Sequence, residues 1–339
     1  MTTNQIAATI KHQLPTFRPV GSNKNENITY TLKEILADTS IPPKHIVEKG
    51  ILVPGGITLI HGKPKTRKSF LAIQLGLHLA CGTPWLGFKV SKPQKALYIQ
   101  AELSYHALRG RLHEMSRKLM LGKDTSKLIV SDCIHKNIDN PDEYSALRRM
   151  IINSKAEVII IDPLVYFHGK SENSNDEMGK VMSCLRSLVN ETSTALVLVH
   201  HDGKTNDYSG GDSSRGASAI FGAVDTDIQI SKETTKGSSI PHQKLNFSMR
   251  HSKTPDTKNI YFDDETLTFS ENHITSDEVK LLQVVVDHPL SDRPTITLKL
   301  QEVLQCGKSK AYELIRASLA SETLLVNDAG LIVLPIPEF

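Results

Sequence analysis

Between positions 57 and 231, short apolar runs alternate with stretches whose apolar residues recur at helical spacing. The runs at 58–61, 96–100, 128–130, 158–162 and 195–200 have the length and β-branched content of strands. The periodic stretches between them predict helices over 68–80, 105–120, 141–153 and 175–191, the third entered through Asn140-Pro141 as cap and first helical residue. Such alternation predicts an α/β fold built on a mostly parallel sheet covered by helices. Further strands at 225–231, 244–250, 259–262 and 266–269 extend one sheet edge, the last two joined by a tight turn at Asp263-Asp264.

The two flanks read differently. Residues 1–28 are polar and non-periodic, with Pro15 and Pro19, and predict a flexible arm ahead of an α/β domain over 29–270. A change of composition at 270–276 opens a last segment, 271–339, with helical patterns at 277–286, 297–304 and 309–319. Strands at 323–326 and 330–334 then flank Asn327-Asp328-Ala329. Three helices and a hairpin predict a small winged-helix-like domain. Helix-turn-helix spacing over 297–319 puts Lys308, Lys310 and Arg316 on or near the second helix, a disposition suited to contacting phosphates or docking a protein.

Composition narrows the class without naming a partner. A chain with 39% hydrophobic and 23% charged residues is an ordinary globular protein, and no apolar run is long enough to span a bilayer, so a membrane role is excluded. The N-terminus lacks a basic stretch followed by an apolar one, so the expected location is the cytoplasm. Cys81, Cys133, Cys184 and Cys306 are far apart with no C-x-x-C pair, which argues against zinc or disulfides and predicts buried thiols. A formal charge of +3 is too small to establish nucleic-acid binding.

The chemistry starts at Gly62-Lys63-Pro64-Lys65-Thr66-Arg67-Lys68-Ser69, with Phe70 following. This segment lies between a predicted strand and a predicted helix, the setting in which backbone N–H groups at a helix N-terminus ring phosphates. Lys68 would reach the β- and γ-phosphates of ATP, and Ser69 would ligate the accompanying Mg²⁺. The pattern G-x-x-x-x-G-K-[ST] expects glycine where Arg67 stands, and a side chain there is expected to crowd the loop or add a phosphate contact.

Three more strand ends are polar. Asp162 closes the run 158–162 and suits the Mg²⁺ shell, and Glu102, just past 96–100, is placed to polarise an attacking water. His200 and His201 end the run 195–200, where one imidazole is placed to sense the γ-phosphate. Convergence of several polar strand ends on one loop carries more weight than any of them alone.

With these residues in view, the chain resembles the RecA-like hexameric ATPases, most closely the plasmid RepA-type replicative DNA helicases. The likeness covers about 35–262. It rests on the loop and its strand, on 98–102, Asp162-Pro163-Leu164, Glu172-Asn173-Ser174-Asn175-Asp176-Glu177-Met178, His200-His201-Asp202-Gly203-Lys204 and Arg215-Gly216-Ala217-Ser218. The resemblance implies a RecA-like P-loop core in which Lys68 and Ser69 hold nucleotide and metal, Glu102 is the base and Asp162 supports the metal. It also implies that His200 or His201 is the sensor and that Arg215 enters a neighbouring subunit's site. Arg250 and Lys253, after the strand 244–249, match a basic pair of related ring helicases. A homo-hexameric ring that threads single-stranded DNA is implied as well, with a replication initiator or primase as further partner. A nucleotide-switched DNA-binding regulator and a filament-forming recombination ATPase would use many of the same residues.

Overall fold

The computed structural model describes residues 29–119, 125–202, 217–233, 242–271, 276–320 and 323–335. The chain divides into two compact units, Met1–Glu271 and Asn272–Phe339. In chain order the first contains α1 (Leu32–Ala37), β1 (Ile57–Gly62), α2 (Lys68–Cys81), β2 (Ala96–Gln100), α3 (Tyr105–Lys118), β3 (Leu128–Cys133), α4 (Pro141–Ser154) and β4 (Val158–Asp162). It continues with α5 (Asn175–Thr192), β5 (Ala195–His201), α6 (Ala217–Ala223), β6 (Thr226–Glu233), β7 (His242–Met249), β8 (Lys258–Asp263) and β9 (Thr268–Ser270). The arm expected over 1–28 lies outside the described residues, and α1 is a helix the hydropathy pattern did not predict.

One sheet organises this unit, with strand order β3-β2-β4-β5-β1-β6-β7-β8-β9. The pairings from β3 across to β6 are parallel, and those from β6 onward are antiparallel. β1, β2 and β4 are buried at every position, which is why their sequences read as continuous apolar runs rather than alternating ones. Alternate residues still serve opposite faces. Val158 and Ile160 pack with α2 and α3, whereas Ile159 and Ile161 pack with α4, α5 and α6. β7 alternates buried and half-buried along most of its length, as expected for antiparallel sheet covered on one side.

Local capping sets where the helices begin. Ser104 accepts from the Ala107 N–H, Asn140 from the Asp142 and Glu143 N–H groups, and Ser174 from the Glu177 N–H, which opens α3, α4 and α5. Asp225 fixes the start of β1 against β6: its Oδ2 accepts from the Ile57 N–H at 2.8 Å and from Arg186 at 2.9 Å.

Two expectations are corrected here. The turn between β8 and β9 is not a two-residue turn at Asp263-Asp264 but runs through 264–267, so β9 begins at Thr268. The Asp263 carboxylate accepts from the Glu265 and Thr266 N–H groups and its carbonyl from the Leu267 N–H, which lengthens the turn. Nor are the cysteines uniformly buried: Cys81 is, but Cys133 is exposed at the end of edge strand β3, and Cys184 and Cys306 are half-buried.

The second unit contains α7 (Ser276–Asp287), α8 (Arg293–Leu304), α9 (Lys308–Ala320), β10 (Leu325–Val326) and β11 (Ile332–Val333), the two strands antiparallel. Leu281, Val284, Ile296, Leu300, Ile315 and Leu324 form its core. α8 starts four residues before the expected 297, because Asp292 caps the Thr295 N–H at 2.9 Å and Pro294 occupies the first turn. Lys308, Lys310 and Arg316 are exposed on α9, and Lys310 pairs with Asp277 at 2.8 Å. No helix among the described residues is long and apolar enough to cross a membrane.

Removing the Asp225 carboxylate leaves both the Ile57 N–H and the Arg186 guanidinium without it. Asp225→Ala should therefore cost about 2 kcal/mol in urea unfolding, with an unchanged denaturant slope.

Candidate active site

The parallel register brings the strand ends together. Gly62 is paired with His201, His61 with His200, and Gln100 with Asp162. The segment 62–69 leaves β1 at this edge and enters α2 at Lys68. Gly62 has no room for a side chain, since a Cβ would lie 2.2 Å from the Ile230 carbonyl oxygen. Unlike α3, α4 and α5, α2 opens with no side-chain cap, and unlike α4 and α5 it has no acidic residue in its first turn, so its N–H groups and dipole suit an anion.

Lys68 is buried, and its Nζ donates to the carbonyls of Gly62 at 2.7 Å and Lys63 at 3.0 Å. Burial pushes its ammonium down to about 8, against the pull of Asp202, Asp162 and Glu102. Ser69 Oγ donates to Asp162 Oδ1 at 3.2 Å, and the Tyr98 hydroxyl donates to Oδ2. Burial raises Asp162 to about 6, with the two hydroxyl bonds opposing. Ser69 and Asp162 thus stand adjacent as hard oxygen donors, the set that Mg²⁺ takes, and they are the residues that would hold it.

Glu102 is exposed beyond β2, on a segment stapled by Gln100. The Gln100 Oε1 accepts from the Glu102 N–H at 3.1 Å and the Leu103 N–H at 2.7 Å. The Glu102 charge acts on Lys68, Asp162 and His201, so it belongs to the same cluster of charges. The two histidines face different surroundings. His201 is lowered by burial and then by Lys68, with Glu102 and Asp202 opposing. His200 is pushed down to about 4 by burial, and its Nδ1 lies 3.6 Å from Glu172 Oε1.

Arg67 does not crowd the loop. It holds left-handed backbone (φ 67°), the conformation for which the motif keeps glycine, and its guanidinium pairs with Asp264 at 2.6 Å and lies 4.0 Å over the Phe262 ring. Phe262 meets Phe70 edge-on at 5.1 Å, and Arg111 covers Phe70 at 4.3 Å. In place of the expected crowding, the side chain is turned toward β8.

Arg250 and Lys253 are not brought to this loop. Met249, at the end of β7, pairs with Thr226, and Thr226 pairs with Thr58, so Arg250 lies toward the opposite sheet edge, where it donates to the Gly222 carbonyl. Arg215 and the segment 203–216 lie outside the described residues.

Sequence reasoning missed His61. Its Nδ1 is 2.7 Å from Asp202 Oδ1, and its Nε2 is 3.0 Å from Asp227 Oδ1. Burial would lower this imidazole, but bonding to Asp202 and Asp227 outweighs it and holds the ring at about 9. The available signal was a histidine inside the apolar run that precedes the loop. Tyr98 on Asp162 was missed for a similar reason, since its ring is core and only its hydroxyl reaches the site. No group of three or more metal-ligating His, Cys, Asp or Glu side chains occurs among the described residues.

With the geometry established, comparison with known proteins gives a match to the family described as AAA domain over residues 27–207, more than half of the chain. Among solved structures, a DnaB-like replicative helicase, solved with its interactions with primase, is similar with a TM-score of 0.51 at 10% identity. That match covers 64% of this chain and 57% of the helicase, so the chain spans little more than half its length, and the likeness is one of fold. A separately solved ATPase domain matches with a TM-score of 0.48 at 11% identity, over 63% of this chain and 84% of that one. A KaiC-like protein from the archaeon Pyrococcus horikoshii OT3 matches with a TM-score of 0.43 at 14% identity, over 66% and 92%. The large, mostly parallel sheet fits a RecA-like core.

Two measurements check this geometry. Arg67→Gly and Arg67→Ala both lose the Asp264 and Phe262 contacts but differ in the cost of the left-handed backbone, so the glycine variant should be more stable by about 1 kcal/mol in denaturant unfolding. The folded value of His61 stands above the 6.5 of an unfolded chain, so its imidazolium adds stability that is complete below pH 6.5 and is lost as pH rises through 9. The Tm difference between the wild type and His61→Gln should therefore be widest below pH 6.5, on the order of 3 kcal/mol in stability, and shrink steadily above it.

Proposed function

The chain belongs to the AAA domain family, and from that premise we propose that it hydrolyses ATP at the phosphate loop and couples hydrolysis to movement on single-stranded DNA, in the replication of a plasmid, phage or similar element. The observation that carries the ATPase half is the meeting of Lys68, Ser69, Asp162, Glu102 and His201 around an uncapped helix N-terminus at one sheet edge. The motor half rests on the resemblance to RepA-type helicases and on the fold shared with a DnaB-like helicase.

In this reading the loop N–H groups and Lys68 bind the triphosphate, while Ser69 and Asp162 hold Mg²⁺. Bound Mg²⁺ supplies charge neutralisation at the phosphates. Tyr98 orients the Asp162 carboxylate through its hydroxyl. Glu102, whose backbone is held by Gln100, accepts the proton of the attacking water. His201 is the sensor, because it shares the electrostatic surroundings of Lys68 and Glu102 while His200 is turned to Glu172.

Arg215 serves a neighbouring subunit, where its guanidinium stabilises charge on the transferred phosphoryl oxygens and makes turnover depend on assembly. Arg250 and Lys253, far from their own loop, are further candidates for that intersubunit role. A hexameric ring, with an initiator or primase as partner, is the assembly this implies. The second unit acts as a winged helix, with Lys308 and Arg316 available on α9 for phosphate contact.

ATPase activity measured with and without single-stranded DNA across protein concentration tests catalysis, partner and assembly together. Turnover should rise with both DNA and concentration, accompanied by strand displacement. Lys68→Ala should abolish turnover, Glu102→Gln should keep ATP binding with turnover at least about 100-fold lower, and Arg215→Ala should bind ATP but not hydrolyse it. Turnover indifferent to DNA, with no unwinding, would sink the motor reading, and wild-type turnover in Arg215→Ala would remove its role.

A further inference from the structure

His61 has no part in the chemistry of the proposed ATPase, yet it is a buried cation set into the strand that launches the phosphate loop. Its two ring nitrogens face Asp202, just past the end of β5, and Asp227 on β6, and Phe221 of α6 meets the ring edge-on at 4.9 Å. Placing a charged imidazole there carries a desolvation cost that the two carboxylates offset.

Asp202 is joined to the loop as closely as to His61. Its N–H donates to the Gly62 carbonyl at 3.1 Å, and Lys68 Nζ donates to the same oxygen at 2.7 Å. Together with Lys63, Pro64, Thr66, Gln229 and Lys232, Asp202 lines a cavity of about 290 Å³ beside the loop. An uncompensated carboxylate in such a place repels a triphosphate and competes with it for the lysine ammonium, and both effects are strong where water is excluded. Of the three carboxylates whose charges act on Lys68, Asp162 answers to the metal and Glu102 to the attacking water in the proposed reaction. Asp202 answers to His61.

We propose that His61 is a positioning residue of the nucleotide site: its pairing with Asp202 cancels a carboxylate beside the phosphate loop and leaves Lys68 free for the nucleotide's phosphates. The inference rests on the nucleotide reading of the loop. It predicts that the affinity lost with the imidazolium returns when the carboxylate it masks is also removed, and that removing the carboxylate alone tightens binding, which a purely structural buried pair would not do.

The experiment is titration calorimetry of Mg-ADP into the full chain for the wild type, His61→Gln, and His61→Gln combined with Asp202→Asn, at a temperature where each is folded by circular dichroism. His61→Gln should bind about 10-fold more weakly, and the double variant should recover to within about three-fold of wild type. Wild-type affinity in His61→Gln, or no recovery in the double variant, overturns the proposal. Should His61→Gln fail to fold, Asp202→Asn alone decides, since it leaves His61 charged beside the loop and should bind Mg-ADP about three-fold more tightly; equal or weaker binding overturns the proposal. A wild type that binds no Mg-ADP removes the nucleotide reading and this inference with it, whereas wild-type binding with unaltered variants removes this inference alone.

Discussion

Strands that run in one direction and are buried on both faces place polar residues chiefly where they leave the sheet, and in a parallel sheet all the C-terminal ends lie along one edge. The site depends on this constraint. β1, β2, β4 and β5 bury nearly every position, and at or just past their C-terminal ends stand Gly62, Glu102, Asp162 and the His200-His201 pair. Residues separated by up to 139 positions in the chain thus become neighbours through backbone register alone, with Gly62 opposite His201 and Gln100 opposite Asp162. A central strand running the other way would send its polar end to the far edge, as β7 does with Arg250.

The same convergence creates an electrostatic problem. Glu102, Asp162 and Asp202 all act on Lys68, which burial already makes less willing to stay charged. Each carboxylate is managed differently. Asp162 receives two hydroxyl donors, Glu102 stays exposed to water, and Asp202 is paired with an imidazolium. In the proposed reaction these arrangements would keep the site fit for an anion while retaining the acceptors that metal binding and proton transfer require. Tyr98 shows how few atoms this takes: its ring belongs to the core, and one oxygen belongs to the site.

Much of this was legible in the chain. The continuous apolar runs marked the parallel strands, Asn140-Pro141 marked the start of α4, and the polar strand ends marked Glu102, Asp162 and the histidine pair. Less legible was whatever depends on side chains meeting across the sheet. His61 and Asp227 are 166 residues apart, and nothing in local spacing links them. The turn through 264–267 was missed because the Asp263 side chain, rather than a glycine, organises it. α1 was missed because it buries none of its residues, so its apolar positions answer to no core. Cys133 is exposed because β3 is an edge strand, a matter of sheet order that hydropathy cannot report.

Arg67 ties the two halves of the sheet together. The loop holds both Lys65 and Arg67 at positive φ, a conformation that costs each residue free energy and persists only where its surroundings over-determine it. For Arg67 those surroundings come from the antiparallel extension: Asp264 from the turn after β8 takes the guanidinium, and Phe262 lies beneath it. Phe262 in turn packs on Phe269 of β9 and on Phe70 of α2, so the strands beyond β6 reach back to the first turn of the helix that carries Lys68 and Ser69. A segment that reads along the chain as the mere edge of a sheet therefore props the backbone of the phosphate loop. Tolerance of arginine where glycine is expected follows from that prop, because the side chain has a binding place of its own on Asp264 and Phe262.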